Sequence, residues 1–569
     1  MINEKFWQKS YDQGLSDLDP KMWETTYVEI ASSSFKEFPD KPAFVFMDLE
    51  TTFLQLDQFA NQFANMLVSN GFKKGDVVGI NLLNIPEYII AWLGTLKAGC
   101  VVSGVSPLLS PQEMLYQLTD ANVKGLVTLD AIFSSTVLDI ISSLPQLNLI
   151  ILTTMEGFLP GTKRVLDKLL AEIPKEKATS LKGREIYEFK DIIETQNFSK
   201  ESTHIEITPD DIAYIQYTGG TTGAPKGTML SHRNAVSNII IMTTWLGWRR
   251  GKGVALSGFP FFHMAGLAFN KNCVYLGWKQ ILIPNPRDTD YICTQIAKYK
   301  PNALVNVPSL YQLLMANPKF RALDHSNLEI CICAASPFPE DSQRELEEII
   351  GKGKLLEAYG MTELTAVTTM NPLKGKKKLG TVGLPIFNTD MKLLDTDTGE
   401  EVPIGKPGEV CVKAPYVMVG YYNKSEETKN VIDPQGYMHS GDVAIQDEEG
   451  YLRIVDRTKD MIIVSGYKVF SKKVEEILAE HPAIEMVAYI GIKNPDRPGS
   501  EIVKAFVTLK PDFIFDGDEE ELKKDIIQFA KEKLAPYEVP KTIEIKQELP
   551  ITAVGKIDKK ILRKQGHPQ

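Results

Sequence analysis

The stretch YTGGTTGAPKGTMLSH, Tyr217 to His232, gathers Gly219, Gly220, Gly223 and Gly227 with Thr218, Thr221, Thr222 and Thr228 in one short bend. It follows DDIAYIQ, an apolar-rich run with strand character, and leads into HRNAVSNIIIMTTWL, which has the length and content of a helix. The glycines are therefore expected in a strand-to-helix loop. Glycine permits positive φ and lets backbone N–H groups approach a ligand, while helix N-termini and turn nests favour anions. A plain surface turn has a similar composition. Lys226, placed where a terminal phosphate would lie, tilts the reading toward phosphate binding. The lysine sits between Pro225 and Gly227, so this is not a Walker loop, which needs Gly before the Lys and Ser or Thr after it.

The rest of the chain bounds what such a loop can serve. At 569 residues it exceeds one ordinary hydrophobic core, and two or more folding units are expected. With 43% hydrophobic and 24% charged residues it has the composition of a soluble globular protein. Its net charge of −10 gives no general attraction to nucleic acid or to anionic membrane, so a phosphate ligand must be held locally. The six cysteines are sparse, and Cys331 and Cys333 in LEICICAAS alternate as on one strand face rather than at metal-ligand spacing. A reduced, cytoplasmic setting fits. The N-terminus MINEKFWQKSYDQGL lacks the apolar core of a signal peptide, and the best apolar run, YIIAWLGTLKAGCVVSGV, is interrupted by Lys97, so no membrane span is expected.

Strand-like runs (PAFVFMD, DVVGINLL, GLVTLD, NLIILTT, KQILIP, NALVNVP) alternate with helical stretches such as LQLDQFANQFANMLVSNGF through the first four-fifths of the chain. That alternation predicts an α/β architecture with mostly parallel sheets. Near residue 457 the character changes to a smaller α+β pattern. In its helix EEELKKDIIQFAKEKLAP, Leu522, Ile526, Ala530 and Leu534 mark a buried face that Pro536 ends. The basic run KGKKKLG, Lys374 to Lys378, reads as a solvated loop.

Three further stretches carry chemistry. EAYGMTE sets Tyr359, whose ring can stack on adenine, before a bend at Gly360, and then supplies the oxygens of Thr362 and of Glu363, the latter suited to magnesium carried by a triphosphate. YMHSGDVAIQDEEGYLRIVDR offers Asp442, suited to accept from ribose hydroxyls, and Arg457. LPITAVGKIDKKILR places Lys556 after Gly555 near the C-terminus.

In this order the four stretches closely resemble the adenylate-forming enzymes, a superfamily that includes acyl-CoA synthetases, firefly luciferase and the adenylation domains of peptide synthetases. The likeness runs over nearly the whole chain, from FLQLDQFANQFANML through LKAGCVVSGVSP to GKIDKKILR. It implies a large multi-subdomain N-terminal domain over residues 1–457 and a small mobile C-terminal domain over 458–569, with a hinge near Lys459. It also implies roles. Thr218, Gly219, Gly220, Thr221, Thr222, Gly223 and Lys226 would hold the β and γ phosphates, and Thr362 the α-phosphate. Glu363 would hold Mg²⁺. Tyr359, Gly360, Ala334, Ala335 and Ser336 would meet the adenine, and Asp442 with Arg457 the ribose. Lys556 would bridge the substrate carboxylate and the α-phosphate, forming the catalytic set with Glu363 and Thr218. Two positions depart from the family pattern: Gly219 stands where Ser is usual, and Ser471 where Pro is usual.

The reaction implied is ATP-dependent activation of a carboxylic acid as acyl-AMP, with release of pyrophosphate, then acyl transfer to coenzyme A. In the second half the small domain would rotate and bring SGYKVF, with Gly466, to the pantetheine tunnel. The acyl pocket is expected near GFPFFHMAGLAFN, with Phe262 and His263 at its wall and small or flexible residues through Gly266 and Leu267 leaving room for an apolar tail. The wording most resembles medium- and long-chain fatty acyl-CoA ligases, so a fatty acid is the expected substrate. A branched, alicyclic or aromatic acid is the runner-up, and a carrier-protein thiol is the alternative acceptor. A fatty substrate leaves weak peripheral contact with lipid open, and a homodimer is the oligomeric expectation. An ADP-releasing phosphotransferase and a non-catalytic nucleotide binder are the rival readings.

Overall fold

The computed structural model describes residues 5–154, 181, 183–218, 224–464, 467–494, 497, 500–511, 513–515, 517–551 and 557–566. Among these, two large sheets dominate. One has eight strands and is parallel from Ile212–Thr218 through Val101–Gly104, Val77–Asn81, Val123–Leu129 and Leu149–Thr153 to Glu185–Glu188. The other has nine strands, with a parallel centre that includes Ala303–Asn306, Ile330–Ala334 and Leu355–Tyr359. The strands expected from apolar runs are present in these sheets, and the chain is an α/β protein as anticipated.

Helices Tyr27–Glu37, Phe53–Ser69, Pro86–Lys97, His232–Trp245 and Met264–Leu276 contribute to the largest core. Its centre is aromatic: Tyr27 and Trp92, neither with exposed surface, lie with ring centroids 5.1 Å apart. The Phe53–Ser69 helix starts where Thr52 and Gln55 form a reciprocal capping box. Cys331 and Cys333 share one face of their strand and pack in one apolar cluster, as their alternation suggests. No helix among the described residues is long and apolar enough to cross a membrane.

Two expectations need correction. The segment from 390 to 457 is not part of the parallel pattern. It forms a four-stranded antiparallel sheet, ordered Asp390–Leu394, Pro407–Lys413, Met438–Gln446, Leu452–Arg457. The glycine-rich stretch is not a strand-to-helix loop either. Lys226–Ser231 is a strand that pairs antiparallel with Ile212–Thr218, with Thr218 opposite Lys226, so the stretch joins two strands of a hairpin. The helix begins only after this second strand, where Ser231 and Asn234 cap it reciprocally.

The C-terminal elements have a core of their own. Strands Ile484–Lys493, Glu501–Leu509 and Thr542–Ile545 form a sheet. Val474 and Leu478 of helix Ser471–Leu478, with Leu522, Ile526 and Ala530 of helix Glu519–Lys533, bury against its Tyr489, Val503 and Val507. The second helix ends at Lys533, so Leu534 caps it while still reaching the core.

A buried acid in the N-terminal part gives a pH-dependent term in stability. Glu87, in the first turn of Pro86–Lys97, is 2% exposed, and its Oε1 accepts from Thr153 Oγ1 at 2.8 Å. Burial pushes its carboxyl from 4.5 up to about 7. The folded chain therefore holds this proton more tightly than the unfolded chain. The group's stabilising contribution is fully present below about pH 4.5 and is lost as pH rises through 7. Glu87→Gln cannot ionise, so relative to the parent it is expected to gain stability between pH 5 and pH 8, by up to about 3 kcal/mol. Urea midpoints of both proteins at the two pH values check this, and a difference that does not change with pH would contradict it.

Candidate active site

The glycine-rich hairpin, the EAYGMTE strand end and the antiparallel sheet converge through three hydrogen-bonded links. At the hairpin base Lys226 Nζ lies over the Tyr421 ring, 4.8 Å from its centroid. Tyr421 belongs to the short strand Gly420–Tyr421, which joins the hairpin's outer edge with Tyr421 opposite Thr228. Its hydroxyl donates to Glu363 Oε1 at 2.9 Å, and the backbone N–H of Met418 donates to the Glu363 carbonyl at 2.8 Å. Lys226, Tyr421 and Glu363 thus form a cation, ring and carboxylate in sequence. Gly219, Gly220, Thr221, Thr222 and Gly223 lie outside the described residues.

The second link follows from strand register. Ala334 pairs in parallel with Ala358, so the bend Ala334–Ser336 and the pair Tyr359 and Gly360 leave neighbouring strands at the same carboxyl end. That edge is where open parallel sheets place ligands. Ala335 has φ 74°, left-handed despite its Cβ, a local strain of the kind held at functional bends. Gly360 is required by packing: a Cβ there would lie 1.6 Å from the Ala366 carbonyl oxygen. The chain then makes the short turn Thr362–Leu364, which buries Thr362 and Glu363.

Asp442 supplies the third link. Asp442 and Arg457 are cross-strand partners, and Arg457 Nε lies 3.1 Å from Asp442 Oδ1. The other carboxylate oxygen, Oδ2, accepts from the Tyr359 hydroxyl at 2.7 Å. Tyr359 and Asp442 are 83 positions apart in the chain. Burial, and then the Asp442 charge, push the Tyr359 phenol well up, so it stays a donor. Asp442 holds the Arg457 guanidinium above its ordinary range. Burial raises the Glu363 carboxyl, and the Tyr421 hydrogen bond pulls it back toward the ionised form.

Residues that carried no signal in the sequence also border this region. Tyr421 is one, hidden because its two-residue strand exists only through long-range pairing. Lys472 is another: from helix Ser471–Leu478 it donates to the Ile454 carbonyl at 2.8 Å. Burial lowers its ammonium, opposed by the charges of Glu476, Glu357 and Asp442. The Glu357 carboxyl, pushed up to about 7 by burial, accepts from Gln343 Nε2 at 2.6 Å. Lys459 sits in the turn between Leu452–Arg457 and Ile462–Val464, with its carbonyl facing Arg563 Nη2 at 3.5 Å. Gly466 and Lys556 lie outside the described residues.

The stretch expected to wall an acyl pocket is tightly packed. His263 caps helix Met264–Leu276, its Nδ1 accepting from Ala265 N at 3.2 Å. The Phe262 carbonyl accepts from Gln216. At Gly266 neighbouring backbone fills the space where a side chain would begin. A Cβ there would fall 2.2 Å from the Pro260 carbonyl oxygen, so the glycine serves close approach of helix and loop. Leu267 is fully buried in the core.

Comparison with known proteins covers almost the whole chain. The family model described as AMP-binding enzyme matches residues 32–422, and that of the AMP-binding enzyme C-terminal domain matches 473–556. A long-chain-fatty-acid–CoA ligase of Bacillus subtilis is 37% identical over 562 residues, 98% of this chain and 97% of that protein. One from Escherichia coli is 34% identical over 567 residues, 98% of each. Among solved structures, the anthranilate CoA ligase AuaEII in complex with anthranoyl-AMP superposes with a TM-score of 0.83 at 27% identity, covering 96% of this chain and 99% of that one. ATP-bound MatB from Rhodopseudomonas palustris superposes with a TM-score of 0.81 at 26% identity, covering 95% and 99%.

Proposed function

The chain belongs to the AMP-binding enzyme family, and from that premise we propose that it is an AMP-forming ligase that joins a fatty acid to coenzyme A. The observation that carries the nucleotide half of this reading is the Asp442 carboxylate, fixed between Tyr359 and Arg457 beside the carboxyl ends of parallel strands. A carboxylate so oriented accepts from both hydroxyls of a ribose, and the Tyr359 ring next to the Ala334–Ser336 bend offers a face for adenine. The phosphates then extend toward the hairpin, to Thr218, the residues 219–223 and Lys226, with Thr362 at the α-phosphate.

Glu363 fits a hard cation: its carboxylate is buried, oriented by Tyr421, and faces the hairpin through Lys226 and that ring. Mg²⁺ held there would offset the charge of the triphosphate. The chain's own residues do the rest. A carboxylate oxygen of the substrate attacks the α-phosphorus, the bond to the β-phosphate oxygen breaks, and pyrophosphate leaves. Lys556 meets the two joining anions with a fixed positive charge. The sulfur of coenzyme A then attacks the acyl carbon, the carbon–oxygen bond to phosphorus breaks, and AMP leaves with the electron pair. Residues 458–569 turn about Lys459 between the halves, and Gly466 borders the incoming pantetheine. A separate C-terminal core and a separate C-terminal family match support such a unit. Use of ATP and coenzyme A supports a cytoplasmic setting for the reaction.

The fatty-acid choice is supported by relatives named as long-chain-fatty-acid–CoA ligases that align over nearly their whole length. An aromatic acid is the second reading, favoured by the superposition on an anthranilate ligase. A panel of acids assayed for AMP release with coenzyme A present separates them. Highest kcat/KM with a long-chain fatty acid is expected; highest kcat/KM with anthranilate, benzoate or acetate would overturn the choice.

A further inference from the structure

The antiparallel sheet that carries Asp442 also brings together three side chains with metal-binding donors, which the ligase reading does not use. Glu409 and Cys411 stand two residues apart on strand Pro407–Lys413, and His439 on Met438–Gln446 is the register partner of Cys411. One donor atom from each lies within 4.8 Å of the others. His439 Nδ1 is 3.4 Å from Cys411 Sγ and 3.0 Å from Glu409 Oε2.

Two neighbours, Cys411 and the ionised Glu409, converge on the single nitrogen His439 Nδ1, and one proton there can serve only one of them at a time. If Nδ1 carries a proton, it donates to one of them; if it does not, the thiol can donate but the carboxylate has nothing to give. One cation at the centre of the three satisfies all of them. The His439–Cys411 spacing matches that occupant, and the shorter His439–Glu409 spacing would open by a few tenths of an ångström to admit it. With metal–sulfur near 2.3 Å and metal–nitrogen or –oxygen near 2.0–2.2 Å, ligand atoms on a tetrahedron stand about 3.3–3.6 Å apart.

We propose that Glu409, Cys411 and His439 form a zinc-binding site on the sheet that carries Asp442. Thiolate with imidazole and one carboxylate selects a borderline-soft ion such as Zn²⁺ over Mg²⁺ or Ca²⁺, which take oxygen ligands. His439 and Glu409 side chains are 30% and 18% exposed, which leaves an entry path and a fourth position for water. Asp433 Oδ2 stands 3.9 Å from His439 Nε2, the side on which outer carboxylates orient metal-bound histidines, and shares its charge with Lys392 at 3.8 Å. The site also touches the nucleotide region, because Glu409 Oε1 accepts from the backbone N–H of Gly441 at 3.0 Å, immediately before Asp442.

The test uses the full chain stripped with a chelator. Zn²⁺ is titrated in competition with a chromophoric chelator, and Co²⁺ is added in parallel to read thiolate-to-metal charge transfer. One equivalent of Zn²⁺ and a Co²⁺–thiolate band are expected. Cys411→Ser and His439→Ala should each lose the band or weaken binding by on the order of tenfold or more, while Cys331→Ser, in the core of the other sheet, should retain both. Circular dichroism and thermal midpoints identify variants that remain folded, and either folded variant suffices. Absence of zinc uptake and of a thiolate band in the parent protein would overturn the site, as would a band that survives in Cys411→Ser.

Discussion

Lys556→Ala is expected to slow acyl-adenylate formation by on the order of 10²-fold or more and to leave thioester formation from supplied acyl-AMP within a few-fold of the parent. The asymmetry follows from where charge develops. In the first half two anions, a carboxylate and a triphosphate, must be brought into bonding distance, and a fixed ammonium between them is worth several kcal/mol in a water-poor site. In the second half the acyl carbon is already activated and the leaving group is AMP, so the same cation contributes little. Pyrophosphate release with fatty acid and ATP alone reads the first half, and acyl-CoA formation from synthetic acyl-AMP reads the second. Equal losses in both would mean that residues 458–569 do not exchange roles between the halves, and the division of labour proposed for Lys556 would be wrong.

Glu363→Gln is expected to cost a comparable factor in adenylation and to raise the Mg²⁺ concentration needed for half-maximal rate, since a neutral amide cannot replace a carboxylate on a hard cation. Tyr421→Phe provides the graded companion. Its hydroxyl donates to Glu363 Oε1 and favours the ionised acid, against burial that favours the neutral one. Removing that hydroxyl raises the carboxyl further, so the acidic limb of the adenylation pH profile should move to higher pH. The shift requires the activity to follow the ionised form of Glu363. A profile that stays in place, or moves down, would remove Glu363 from the metal site, whatever the loss in Glu363→Gln.

Sequence and structure part company where long-range pairing decides. Tyr359, Asp442 and Arg457 could be named from the sequence because a ring before a glycine bend and an acid after a Ser-Gly bend suggest nucleotide contacts, and because the family resemblance assigns all three to one nucleotide. Their contact, across 83 positions in the case of Tyr359 and Asp442, is set by sheet edges that periodicity does not encode. Lys226–Ser231 escaped because Gly227 and the flanking Pro225 mask a short strand, and only its pairing with Ile212–Thr218 makes it one. Tyr421 escaped for the same reason in two residues. The sheet over 390–457 was absorbed into the surrounding α/β pattern, since short strands separated by turns look alike in parallel and antiparallel order. A glycine such as Gly266 reads as free space in a sequence, and its close packing against the backbone of Pro260 shows only in the fold.

Chemistry and not binding separates an adenylate-forming ligase from a protein that merely holds ATP, and oxygen labelling follows the bond at issue. The protein is supplied with a fatty acid carrying ¹⁸O in both carboxyl oxygens, with ATP, Mg²⁺ and coenzyme A, and the products are weighed by mass spectrometry. Attack of the carboxylate on the α-phosphorus, followed by cleavage at the acyl carbon, must leave one ¹⁸O in AMP, one in the acyl-CoA and none in pyrophosphate. Label in inorganic phosphate with ADP as the nucleotide product would place the attack on the γ-phosphorus and contradict acyl-adenylate formation.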